Sequence, residues 1–338
     1  RRAFAEAVKR GDLELPANLT NLLTGICHPE ELARWTDASR RLKRLHGIET
    51  APVAMHTDIP GLAWPTVSAL AQAGVRYFSS GPNYMPNLKP DGGDRIGGTL
   101  VEHGDRPFWW VSPSGRERLL MWVAGRGYSW FHGGYVGRVS DAATRSILDY
   151  ARELTERGYP YELVQVRYTV GGDNGPVDPK LPEFVASWNA RYETPRLVID
   201  SAQGLFEAFE RRYGASLPEK RGDLTPYWED GALSSAGEEI LARAAARRLV
   251  QAETLWWMGD ATGFPRDRFE EAWRQVLLWH EHTWGAAASI SEPDRPDVVA
   301  QWEYKRAFAV EADRRSRELF DEAAGRRAAP ALLGVAIA

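Results

Sequence analysis

Apolar positions along the first 230 residues come in two alternating kinds of block. Some recur at helical intervals, and others form short continuous runs that stop at Gly, Pro or Asp. Pro29 to His46 reads as one helix, with Leu32, Trp35, Leu42 and Leu45 at helical spacing and basic residues near its end. A strand over Pro52 to Met55 leads directly into Asp58. A short helix, Thr66 to Ala73, stops at Gly74, and Val75 to Phe78 reads as the next strand. Phe108 to Val111 and Leu119 to Val123 flank Ser112-Pro113-Ser114-Gly115, which predicts a hairpin. Asp141 to Arg157 is helical with Asp141 as its cap, and Leu163 to Val170 is a strand running into Gly171-Gly172-Asp173-Asn174-Gly175. Asp178 to Tyr192, Arg196 to Ile199 and Ala202 to Tyr213 follow as helix, strand and helix. Strands alternating with helices predict parallel α/β architecture, in which loops after the strand C-termini carry the chemistry.

From Ser234 the period changes. Glu238 to Met258, Arg266 to His282 and Asp297 to Ala324 are long amphipathic stretches rich in Ala, Arg, Glu and Leu. They predict a second, helical domain with short connections. The expected division is an α/β domain over residues 1–232, a helical domain over 233–325 and an irregular tail over 326–338.

Composition narrows the function classes. A net charge of -4 gives no basic stripe for nucleic acid, and no run reaches the ~18 apolar residues of a membrane span. Cys27 is the single cysteine, which excludes an internal disulfide framework and suits a reducing cytoplasm. The 14 Trp are more than a soluble protein of this size needs, and many sit in polar or Gly-rich loops, where indole faces can stack on sugar rings. Trp256, Trp257, Trp273, Trp279 and Trp302 fall in helical stretches and are expected in the core. The sequence opens at Arg1 inside a helical pattern, without an initiator Met, and closes on a small-residue tail. It reads as a fragment.

Four clusters carry candidate chemistry. Asp58, in His56-Thr57-Asp58-Ile59-Pro60-Gly61, follows a strand and can point its carboxylate into a strand-end cleft. An Asp before a turn is more often a turn or cap residue, so its neighbours decide its weight. In His280-Glu281-His282-Thr283-Trp284-Gly285 two His at i, i+2 cannot share one helix face, so one His plus carboxylates would make a zinc site. A helix C-terminus that favours His is the plainer reading. Glycines on both sides leave Asp173 accessible to a ligand, although a bare turn has the same composition. Tyr227-Trp228-Glu229-Asp230 joins the two domains and mixes aromatics with acids, as a sugar subsite does. The loop around Trp130, Tyr128-Ser129-Trp130-Phe131-His132, has the same character. The candidate substrate-binding residues are therefore Trp130, Tyr227, Trp228 and Asp230.

The ordered set resembles a known family. Asp58-Ile59-Pro60-Gly61, a helix and then Ala73-Gly74-Val75-Arg76-Tyr77-Phe78 look like the nucleophile segment of glycoside hydrolase family 38, the α-mannosidases. Tyr227-Trp228-Glu229-Asp230-Gly231 and then Glu281-His282-Thr283-Trp284-Gly285-Ala286 look like a bacterial branch of it. The resemblance covers residues 1 to about 322. It implies an α/β fold, an incomplete seven-stranded β/α barrel followed by a three-helix bundle. It also implies one zinc ion and a retaining mechanism. Asp58 would be nucleophile and metal ligand, Asp173 the acid/base, and His282 a further ligand, with His280 second. The family's early His-x-Asp motif is absent from residues 1–50, which implies that part of the metal site lies outside this sequence and that this fragment is inactive alone. The implied partner is a carbohydrate, with no nucleic acid and no membrane, and a homo-oligomer stays open. A non-catalytic carbohydrate-binding protein on the same fold is the alternative. A polysaccharide deacetylase-like barrel ranks last, because its Asp-Asp and His-x3-5-His patterns are missing.

Overall fold

The computed structural model describes residues 2–333 apart from 60, 83–99, 101, 126, 128–138, 140, 169, 171–174, 225–233, 260–261, 284 and 287. The chain divides into two compact units, Arg1–Asn18 with Ala38–Pro226, and Leu19–Asp37 with Tyr227–Ala338.

The first unit is mixed α/β. Its elements are α1 (Arg2–Arg10), α3 (Asp37–His46, after α2 at Pro29–Arg34), β1 (Val53–Thr57), α4 (Thr66–Gln72) and β2 (Tyr77–Gly81). Then come β3 (Phe108–Val111), β4 (Arg118–Val123), α5 (Asp141–Glu156), α6 (Leu181–Arg191), α7 (Ala202–Tyr213) and β5 (Glu219–Lys220). The strands form one sheet in the order β1-β2-β4-β3-β5. β1, β2 and β4 are parallel, with Val53 opposite Tyr77 and Tyr77 opposite Leu120. Every position of β2 is buried, as a central strand covered on both faces requires. One face carries Val53, Tyr77, Leu120 and Trp122 against Phe206 and Phe209 of α7. α4, which connects β1 to β2, ends at Gly74 with φ 90, where the Val75 N–H caps the Leu70 carbonyl at 3.0 Å.

The second unit packs α8 (Ala236–Trp257), α9 (Arg266–Trp279) and α10 (Pro296–Leu333) around one core. Ala245, Leu249, Ala252 and Trp256 of α8 meet Phe269, Trp273 and Val276 of α9 and Ala312 and Leu319 of α10. Alanines on the inner stripes let the helix axes approach closely around the few large rings. α2 joins this core through Arg34, which pairs with Glu253 at 2.6 Å and lies over the Trp273 ring at 4.7 Å.

Several expectations need correction. The sheet is not purely parallel, because the predicted hairpin brings β3 in antiparallel to β4. Five strands are present among the described residues. Among the described residues, the predicted strands Leu163 to Val170 and Arg196 to Ile199 do not form. Around Leu163 the backbone groups are taken by side chains: Tyr159 donates to the Leu163 carbonyl at 2.5 Å, and the Glu162 N–H reaches the Tyr213 hydroxyl at 3.1 Å. The Asn189 amide satisfies both the N–H and the carbonyl of Leu197, replacing a strand neighbour. The predicted helix over 29–46 is interrupted at Trp35-Thr36, and Leu45 is exposed. Trp256, Trp273 and Trp279 are buried as expected, but Trp257 is 61% exposed.

Candidate functional site

In the α/β unit, chemistry gathers at the C-terminal edge of the parallel strands. β1 ends at Thr57, and the chain turns at Asp58 with φ 63. The Asp58 N–H donates to the carbonyl of Gly81, the last residue of β2, at 2.9 Å. An L-residue held in the left-handed region costs backbone energy, less for Asp than for most, and such residues gather at functional sites. Beyond it Ile59 and Leu62 are fully buried, and Leu62 pairs with Leu224 through an isolated bridge. The carboxylate is therefore carried by a loop anchored on both sides.

A second left-handed aspartate stands near the end of β4. Asp105 has φ 53, is buried, and donates its N–H to the Val123 carbonyl at 2.9 Å. The Tyr150 hydroxyl, the Trp122 indole at 3.3 Å and the Gly125 N–H at 3.1 Å all donate to its carboxylate. Burial raises its pKa, and those three donors pull the other way. A Cβ on Gly125 would lie 1.9 Å from Asp105 Oδ2, so glycine is required for this approach. Asp105 is sealed, and sequence reasoning missed it. Its only written signal is an Asp after Gly104.

The helical unit holds the histidines. His280 caps α9 and is fully buried. Its Nδ1 donates to Glu31 Oε2 at 2.5 Å and its Nε2 to Glu239 Oε2 at 3.1 Å. Burial alone would lower its pKa. The Glu31 charge and the bonds to Glu239 and Glu31 outweigh burial and lift the pKa to about 9, so the ring is cationic at neutral pH. Glu31 is placed by the start of α2, where its Oε1 accepts the His28 N–H at 2.9 Å with Pro29 as first helical residue. That signal, a Glu three residues after a capping side chain, is legible in His28-Pro29-Glu30-Glu31. His282 has its Nδ1 on Glu281 Oε1 at 2.5 Å, and its N–H donates to the Asn21 carbonyl at 2.9 Å. Burial pushes Glu281 up, but the His282 bond and the Lys305 charge hold its pKa down to about 2.

Among the described residues one cluster has metal-type donors: Cys27, Glu31 and His280 offer atoms within 4.8 Å of one another. Sulfur, oxygen and nitrogen together suit zinc. His280 Nδ1 and Glu31 Oε2 lie 2.5 Å apart, so an ion would have to displace their hydrogen bond.

Of the predicted site residues, Asp58 belongs to the α/β unit, and His280 and His282 to the helical unit. Asp173, Trp130, Tyr227, Trp228 and Asp230 lie outside the described residues. Most of the described tryptophans serve packing and not sugar contact: Trp109, Trp110, Trp122 and Trp188 are buried with their indole N–H groups bonded inside the unit. Among the described residues no helix is long and apolar enough to cross a membrane.

No family model matches the sequence, and no curated protein does. Among solved structures the fold is similar to that of an α-mannosidase from Enterococcus faecalis V583, with a TM-score of 0.69 at 17% identity. The match covers 97% of this chain and 35% of the other, so this chain spans about a third of that protein's length. At this identity the likeness is one of fold: a mixed α/β architecture with a five-stranded sheet and helices, similar to that of an α-mannosidase.

Proposed function

We propose that the protein is a retaining glycosidase of the family 38 type, acting on α-mannosides or related glycans by double displacement. The observation that carries this reading is Asp58, held left-handed at the C-terminal end of β1 and tied to the end of β2. Strand-end loops of α/β folds are where catalytic side chains sit, and the fold likeness to an α-mannosidase agrees with that placement. Asp58 attacks the anomeric carbon, and Asp173 protonates the departing oxygen and then activates water. Asp173 needs a raised pKa for that role. Trp130, Tyr227, Trp228 and Asp230 complete the sugar subsites. The α/β unit is then part of a β/α barrel, ending near residue 232, and the helical unit a three-helix bundle over 233–325.

In this reading Asp58 is a zinc ligand of the α/β unit, and His282 is the histidine of the helical unit suited to be one. Oxygen and nitrogen donors suit zinc, and the Glu281 carboxylate on His282 Nδ1 is the partner that orients metal-bound imidazoles. His280, with a carboxylate on each ring nitrogen, is the weaker choice. Bound zinc would orient sugar hydroxyls and support ring distortion. Turnover of an aryl α-mannoside by zinc-loaded protein tests the proposal. Asp58→Ala should lower it by about a thousandfold or more, as loss of a nucleophile does; turnover that survives the substitution overturns the assignment.

One observation favours a carbohydrate-binding reading without catalysis. The exposed Trp257 ring lines a shallow hollow with Glu253, Thr254 and Met258, a surface on which a sugar face can stack. Glycan binding that is lost in Trp257→Ala, unchanged in Asp58→Ala and unaccompanied by turnover would establish it.

A further inference from the structure

Arg167 is a half-buried charge of the α/β unit with no counter-charge among the described residues. Its Nη1 is buried without a hydrogen-bond partner, and no carboxylate among the described residues pairs with it. Burial pulls its pKa down to about 10, so the guanidinium remains charged at neutral pH. Its neighbours are satisfied. Gln165 Nε2 donates to Ser79 Oγ at 3.1 Å, and the Tyr168 hydroxyl donates to Asp178 Oδ2 at 2.7 Å.

The course of the chain places Arg167. Tyr161 packs on Phe209 and Tyr213, both at 4.9 Å, beside Gly214, whose carbonyl takes the Trp109 indole. Trp109 pairs with Leu120, which pairs with Tyr77 at the start of β2. Four residues after Tyr161, Gln165 has advanced to Ser79, the middle of β2. The segment thus climbs in the direction of β2. Arg167 follows two residues later in the same direction, toward the end of β2, where the Gly81 carbonyl receives the Asp58 N–H. Just beyond, the Val170 N–H donates to the Pro176 carbonyl at 3.2 Å, and a Cβ on Gly175 would stand 1.6 Å from the Val170 oxygen.

We propose that Arg167 is an anion-recognising residue of the Asp58 site, and that the sugar bound there carries a carboxylate or a phosphate monoester. This rests on the glycan-binding site proposed above and names its substrate class. An unpaired buried cation is costly, and a ligand of opposite charge is what offsets it. A guanidinium fork matches the two oxygens of a carboxylate or phosphate, which a neutral hydroxyl pair does not.

Calorimetric titration of the full chain with mannose, mannuronate and a mannose phosphate monoester tests this. One charged sugar should bind about tenfold or more tighter than mannose, with affinity falling as salt rises. Which of the two binds separates carboxylate from phosphate recognition. Arg167→Met, which keeps the apolar stem, should abolish the preference, and without sugar it should melt no lower than the wild type. Equal affinity for charged and neutral sugars overturns the proposal, as does a preference that survives Arg167→Met. A lower melting temperature of the sugar-free variant does so too, because it means that the protein already pairs the group. If the Met variant does not fold, the wild-type preference and its partial retention in Arg167→Lys still decide. Charged-sugar binding without aryl α-mannoside turnover would leave this inference standing and overturn the glycosidase reading. Turnover without charge preference would do the reverse.

Discussion

The two units both bury charge and treat it in opposite ways. In the helical unit the buried ions among the described residues have counterparts at hand. His280 holds Glu31 on one ring nitrogen and Glu239 on the other, Glu281 has His282, and Lys305 donates to two backbone carbonyls and to Glu281. In the α/β unit Asp105 is closed off by three donors, but Arg167 carries its charge with no acid among the described residues. A buried ion with all its bonds made locks one arrangement of the chain, whereas one left short is kept for something that arrives. By this criterion the Glu31–His280–Glu239 set of the helical unit is structural, and Arg167 is the group that an arriving anion would complete.

The largest effect should come from breaking the compensated side. Glu31→Ala takes one acid from a fully buried cation and also removes the acceptor that caps α2. Removing one partner of a buried pair costs about 3–5 kcal/mol, so the urea midpoint should fall steeply. Trp279, which donates to the same Glu239 as His280, gives a fluorescence report from within the cluster. A midpoint that does not move would mean that the cluster is not locking the helical unit.

Lys305 sharpens the same contrast through pH. Burial is the largest influence on it and, against the pull of Glu281, brings its pKa from 10.5 to about 8. A base depressed in the folded state binds fewer protons folded than unfolded between those two values. Stability contributed by Lys305 is therefore complete above pH 10.5 and is lost as pH falls through 8. The shift corresponds to about 3 kcal/mol at most. Unfolding of wild type and Lys305→Met compared from pH 7.5 to 10.5 isolates it. The wild type should gain on the variant as pH rises, and a constant difference would show that the amine is not desolvated.

The periodic signals that were legible are those that local chemistry settles. α7 follows its amphipathic stretch from Ala202 to Tyr213, and the β3–β4 hairpin forms around Ser112 to Glu117. Misreadings occur where a distant group takes over a backbone position. The spacing of Leu32, Trp35, Leu42 and Leu45 runs straight through the helix break. The Trp35 carbonyl, however, receives the Leu19 N–H and its indole donates to Thr20, and the chain passes from one unit to the other at Asp37. Arg196 to Ile199 has strand composition, yet the Asn189 amide satisfies Leu197, leaving Val198 and Ile199 exposed. The position of Asp58 in a turn after a strand was legible, since β1 ends at Thr57. Arg167 was not, because nothing in a single sequence shows that a charge will be buried without a partner.

The smallest effects set the two left-handed aspartates of the α/β unit against each other. Asp105→Ala would leave Tyr150, Trp122 and the Gly125 N–H without their acceptor, at a cost of about 1–3 kcal/mol. Asp58→Gly works on the backbone instead. At φ 63 glycine has no Cβ to crowd the following carbonyl, so relief of strain should contribute about 0.5–1 kcal/mol. That is offset in part by glycine's greater freedom in the unfolded chain. Thermal unfolding should therefore move in opposite directions for the two variants, while aryl α-mannoside turnover disappears in Asp58→Gly. A gain in stability coupled to that loss identifies a residue held in a costly conformation for its chemistry. If Asp58→Gly destabilises as much as Asp105→Ala, the Asp58 side chain is a fastening of the loop, and the strand edge loses its strongest candidate for catalysis.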